Sequence, residues 1–221
     1  MSEHSKSIGP NGLPLLDSSE LARSGRIGWQ NFLGIWLFPL FLGTPIAFAI
    51  YKFGSSSQYE ENILSLTPNG SHWVFLAALL FSRLSAFLNL FPMFEKEKVM
   101  RPDSGNLRSN MQIFRVLGEE VEGAVVLDMK GHVGRYNRAN RSLGNFVENA
   151  APVAVNVIIL SLCFPLPTFV LLGLFAGARV LHQIRYINIG YGYVGHGVGY
   201  FWGLAVTGIM EGLLIVGASV A

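Results

Sequence analysis

Five stretches of this chain are long and apolar enough, or nearly so, to cross a hydrocarbon layer, and that restricts its fold more than any other feature. A crossing takes roughly 20 mostly apolar residues. The stretches run over about 31–51, 72–92, 143–163, 166–187 and 198–220. Lipid offers the backbone no hydrogen bonds, so each is expected as a helix. Pro39 and Pro45 predict kinks in the first. Composition agrees: 14% of the 221 residues are Asp, Glu, Lys or Arg, against about 25% in ordinary soluble domains. A net charge of +2 is too small to suggest a nucleic-acid partner. Cys163 is the single cysteine, which excludes an internal disulfide and a cysteine zinc cluster. No metal site is expected.

The links between stretches set the orientation. Lys96, Lys98, Arg101, Arg108, Arg115, Lys130 and Arg135 crowd the segment 93–137, and Lys6, Arg23 and Arg26 lie near the start. Cytoplasmic-side loops carry such an excess of Lys and Arg. The early residues, 93–137 and the 188–197 link are therefore assigned to the inner side, cytosolic or matrix-like. Lys52 is left outside. Residues 1–28 read as a polar tail without a secretory leader, 29–55 as one helix, and 72–221 as a four-helix bundle interrupted by the charged loop 93–137.

Charges then lead into the third apolar stretch in a fixed rhythm. Arg138, Arg141, Asn145 and Glu148 stand at i, i+3, i+7 and i+10, one narrow face of a helix. Arg179, His182 and Tyr186 repeat the device at i, i+3 and i+7 on the next helix. A tight FPLP turn at 164–167 makes the two helices antiparallel neighbours, so both stripes fall at one depth near the inner interface. Such a pair of stripes offers arginines for carboxylates, amide and hydroxyl donors, and a carboxylate for an ammonium group. Plainer roles stay open. Arginines at an inner helix end also snorkel and fix topology, an Asn–Glu–Arg cluster also glues helices together, and a solitary histidine such as His182 is often a satisfied core residue.

The pattern Arg138-x-x-Arg141-x-x-x-Asn145-x-x-Glu148-Asn149-x-x-Pro152 resembles the MAPEG family, the membrane-associated proteins in eicosanoid and glutathione metabolism. The run GLFAGARVLHQIRYI at 173–187 is similar to the family's third helix, with Gly-x-Arg-x-x-His-x-x-x-Tyr. The likeness covers about 72–220. It implies an all-α membrane fold: a MAPEG-like four-helix bundle, here with one extra N-terminal transmembrane helix. It also implies a homotrimer binding glutathione as co-substrate near the cytosolic side, between subunits. Arg138, Arg141, Asn145, Glu148, Arg179, His182 and Tyr186 would form that site. The implied chemistry is addition of the glutathione thiolate to a lipophilic electrophile or a lipid hydroperoxide drawn from the bilayer. The implied address is the endoplasmic reticulum or a mitochondrial membrane.

Three features depart from the family pattern. The catalytic branches carry an arginine at the head of the last helix; the matching position here is Gly195, and 186–221 contains no Lys or Arg. His196 and Arg83 are the candidate substitutes. Arg83 is also read as a salt-bridge partner for Glu211 within the bundle, since either charge alone in a span is costly. The second departure is the helix at 31–51, read as a docking element for another membrane protein. The third is IFRVLGEEVEGAVVLDM at 113–129, whose apolar patches would pack under the bundle or bind a partner, with Glu119, Glu120 and Glu122 solvated. GYGYVGHGVG at 190–199 is read as a flexible turn with small residues for close helix approach, and Tyr191, Tyr193, Tyr200 and Trp202 as interfacial anchors. Two functions follow: a membrane-bound glutathione transferase or peroxidase, or a catalytically impaired accessory subunit of a larger membrane complex. A lipid-presenting scaffold is a third.

Overall fold

The computed structural model describes residues 17–19, 29–67, 72–99, 111–117 and 124–220. Its long helices are α1 (Trp29–Phe53), α3 (Trp73–Lys96), α4 (Gly131–Cys163), α5 (Pro165–Ile189) and α6 (Val198–Val220). A short helix, α2 (Ser56–Leu66), fills the outer link between α1 and α3. A five-residue π-helical turn, Tyr193–Gly197, precedes α6. Five of these segments are long and apolar enough to cross a membrane. The basic tail with Lys6, Arg23 and Arg26, and Arg101, Arg108, Glu119, Glu120 and Glu122 of the inner loop, lie outside the described residues.

Helices α3, α4, α5 and α6 form the bundle. α5 packs against the other three, α4 against both α3 and α6, and α3 and α6 share no extended contact. Leu84, Leu88, Phe146, Leu160, Leu172 and Met210 are among the side chains buried where they meet. Lipid tails are as apolar as leucine, so close packing rather than exclusion of water holds this core. The α4–α5 turn is tight for a local reason. Phe164 ends one helix by donating its N–H to Leu160 O at 2.6 Å, and its own carbonyl accepts from Thr168 Oγ1 at 2.7 Å. Pro165 follows at the first helical position, where its missing N–H costs nothing.

α4 begins twelve residues before the apolar stretch expected at 143. Its 33 residues span about 50 Å, more than a hydrocarbon core of about 30 Å. The inner turns therefore extend below the apolar layer, and the whole polar stripe sits on one unbroken helix. Hydropathy finds only the buried-in-lipid part of such a helix.

The inner loop holds a two-stranded antiparallel hairpin, β1 (Phe114–Leu117) and β2 (Ala124–Leu127). Asn137 of α4 anchors it. Its Nδ2 donates to Ile113 O and Asp128 O, both at 2.7 Å, and its Oδ1 accepts from Ile113 N at 2.8 Å. Ile113 packs beside Tyr136 and Val99, so this end of the loop is held against α4, while Phe114 and Val125 of the strands stay exposed.

α1 stands apart. Most of its side chains are exposed, and it meets the bundle only along α3. Trp36 makes the junction: its Nε1 donates to Arg83 O at 2.9 Å, its ring lies 5.6 Å from the Arg83 guanidinium carbon, and Phe87 meets it edge-on. The expected Arg83–Glu211 pairing within the bundle does not form: no such ion pair occurs among the described residues. The reason is the packing order, since α3 and α6 are not neighbours.

Candidate functional site

The two polar stripes converge. Arg141 and Asn145 from α4, and His182 and Tyr186 from α5, line a cavity of about 190 Å³ together with Tyr191, His196 and Tyr200. Arg179 is not in the lining but touches it through Asn145: its NH2 donates to Asn145 Oδ1 at 3.0 Å, and its guanidinium carbon lies 5.7 Å from the Phe146 ring. Ser142 Oγ and His182 Nδ1 are 2.8 Å apart. Gln183 Nε2 donates to Ala139 O at 3.1 Å, a further polar tie between α4 and α5.

The glycine-rich turn closes the cavity from the α6 side. Gly190 and Gly192 have φ of 92° and 101°, values that favour glycine. A Cβ on Gly195 would collide with the Gly190 carbonyl, and one on Gly199 with the His182 backbone. The π turn, a geometry that recurs at functional sites, carries His196 over the cavity. Its ring centroid lies 5.3 Å from that of Tyr186, 5.9 Å from Tyr191 and 6.1 Å from His182.

Several polar atoms in this region are buried without a hydrogen bond: His196 Nδ1, Tyr186 Oη and Arg179 Nε. Tyr191 lies beside Tyr186, their ring centroids 5.4 Å apart. Buried polar groups are ordinarily paired, so these atoms mark a place for a polar ligand.

Other expected site residues fall elsewhere. Arg138 does not line the cavity. Its Nε and NH2 donate to Ile187 O at 3.2 and 2.9 Å, and its NH1 to Met129 O at 2.9 Å. It thus holds the end of α5 to the entry of α4. Glu148 is exposed on α4 and is not part of the cavity lining in a single chain. Arg83 sits against Trp36 and takes no part either.

The sequence reading missed Tyr191 and Tyr200, taken for interfacial anchors, and Ser142. Only the density of aromatic residues around His196 hinted at the tyrosines. Tyr193 and Trp202 are exposed, and so is much of Tyr191. A second cavity of about 240 Å³ lies by Phe91, Ile184 and Ile187. Its charges are mutually satisfied: Arg135 donates to both carboxylate oxygens of Glu95 at 2.8 and 3.0 Å, and to Asn188 Oδ1 at 2.7 Å. Among the described residues no histidine, cysteine or acidic cluster could hold a metal ion.

A family model described as the MAPEG family matches residues 105–216, half of the chain and all of the cavity lining. The chain belongs to the MAPEG family. No curated protein and no solved structure matches it. As a MAPEG protein with five apolar helices it is an integral, multi-pass membrane protein with an all-α bundle. Membership supports a membrane-bound, glutathione transferase-like or related function.

Proposed function

We propose that this MAPEG protein binds glutathione in the cavity between α4, α5 and the π turn, and adds its thiolate to lipophilic electrophiles that arrive through the bilayer. The observation that carries the reading is the set of buried, unsatisfied polar atoms: His196 Nδ1 and Tyr186 Oη on residues that line the cavity with Arg141 and Asn145, and Arg179 Nε on the arginine bonded to Asn145. Glutathione brings two carboxylates, an ammonium group, two amides and a thiol, which suit arginines, an asparagine and hydroxyl or imidazole donors. His196 and Tyr186 take the role for which the family's catalytic branches use an arginine, stabilising the sulfur anion by hydrogen bonds in a site shielded from bulk water. The S–H proton passes to water, the sulfur forms a bond to the electrophilic carbon, and the electrons displaced there leave with the departing group or reside on an adjacent acceptor. With a lipid hydroperoxide, two glutathiones would give the alcohol, water and glutathione disulfide. Glu148, exposed in one chain, would complete the site from a subunit boundary of a homotrimer.

Calorimetry of glutathione binding, with stopped-flow absorbance at the thiolate band, tests this. Binding with proton release is expected, and His196→Phe should retain much of the binding and lose the thiolate signal. No binding at millimolar glutathione would sink the reading.

A second reading, an accessory subunit of a larger membrane complex, is favoured by α1, an apolar helix left exposed along nearly its whole length and joined to the bundle at Trp36. Purification from native membranes in mild detergent would distinguish a stoichiometric partner from none.

A further inference from the structure

We propose that Arg83 of one copy of this chain pairs with Glu211 of the next, across a mid-bilayer contact between α3 and α6. The inference rests on the self-association proposed above and extends it to a defined contact. Arg83 lies ten residues past Trp73 at the outer end of α3, and Glu211 nine residues before Val220 at the outer end of α6. At 1.5 Å per residue these are about 15 and 14 Å from the outer ends, so the two charges share one depth near the middle of the hydrocarbon.

Among the described residues neither is neutralised within its own chain. Glu211 is exposed on the bundle surface, and no ion pair to it occurs among the described residues. Arg83 Nε is buried and has no hydrogen-bond partner. The Trp36 ring flanks the guanidinium on the α1 side, which orients the group without supplying a negative charge. Ionisable side chains at that depth face a partner or a water-filled space. Each of these residues supplies the sign the other lacks.

The packing order makes the contact intermolecular. α3 and α6 are not adjacent in the bundle, so the pair cannot close inside one chain without repacking it. Two different patches then meet head to tail, and a contact of that kind closes into a ring when the rotation between copies returns on itself. α1, held on α3 by Trp36, would flank the same contact.

Charge variants of the full-length protein, followed by native mass measurement in detergent, test the pairing. Arg83→Gln and Glu211→Gln should each weaken association by at least about tenfold, the lower bound for removing one partner of a buried interfacial charge pair, while helix content is retained. The exchange Arg83→Glu with Glu211→Arg should restore association. Should the exchanged protein fail to insert, the double variant Arg83→Gln/Glu211→Gln decides: a loss no larger than that of either single variant supports the pair, whereas additive losses overturn it. An oligomer unaffected by both single variants overturns the pair and leaves self-association standing. A wild-type chain that is monomeric at every concentration overturns both.

Discussion

Arg179 NH2 donates to Asn145 Oδ1 at 3.0 Å, and this one bond joins the polar stripes of α4 and α5. The partners contribute differently. Asn145 is a neutral acceptor, so the pair leaves a guanidinium whose Nε is buried and unsatisfied. A charge held in this way suits an anionic ligand better than it suits a closed structural bridge. Asn145→Ala should therefore destabilise the protein by about 1–3 kcal/mol, the usual cost of stranding a buried donor. Arg179→Met removes the stranded charge and fills similar volume, so its thermal unfolding should be close to wild type while glutathione-dependent stabilisation disappears. Thermal scans with and without glutathione separate these effects; retained stabilisation in Arg179→Met would remove Arg179 from the site.

Arg138 should behave in the opposite way. It is committed to the carbonyls of Ile187 and Met129, at the end of α5 and the start of α4. Arg138→Met should lower stability by about 1–3 kcal/mol and leave glutathione affinity of the folded protein within about twofold, a change too small to register as a lost contact. Titration calorimetry below the unfolding transition reads this directly, and a large loss of affinity would return Arg138 to the binding residues.

The four-helix core and both stripes were legible because helix periodicity projects them from the chain. Positions three or four apart must share a face once a helix forms, whatever surrounds it. The FPLP turn then fixed which helices were neighbours. Arg83 shows where that logic ends: its partner depended on packing order, and composition alone did not reveal that α3 and α6 stand apart. Tyr191 and Tyr200 were missed for another reason. Tyr191 stands between two positive-φ glycines, and Tyr200 lies in the first turn of α6, whose entry is set by the π turn before it; no helix period in the sequence projects that irregular approach onto the cavity. The length of α4 was underestimated because hydropathy registers lipid burial, and the inner turns of α4 lie below the lipid.

The hairpin should be separable from the bundle. Asn137 alone bonds both Ile113 and Asp128 on either side of it, and it is completely buried. In Asn137→Leu, hydrogen exchange at 111–128 should accelerate by at least about tenfold, the equivalent of roughly 1.4 kcal/mol of lost local stability. Exchange in α5 and α6 should be unchanged. Uniform acceleration through the bundle would show instead that the hairpin and the helices open as one unit.

Gly195 provides the sharpest test of how this chain departs from the catalytic branches. The expected arginine is missing there, and the simplest idea is that restoring it would raise activity. The geometry argues otherwise. A Cβ at this position would run into the Gly190 carbonyl, and Gly190 itself holds a positive φ, so the turn has no room to yield. Gly195→Ala should already cost stability of about 1–3 kcal/mol through this overpacking, and Gly195→Arg more. Both should displace His196 with the turn, so thiolate formation should fall in each variant despite the added positive charge in the second. The check is thiolate absorbance per bound glutathione, set beside the unfolding temperature. A Gly195→Arg protein that folds normally and forms more thiolate than wild type would show that the turn can accept the family's arginine, and that its absence here, rather than a substitute built around His196, accounts for the difference.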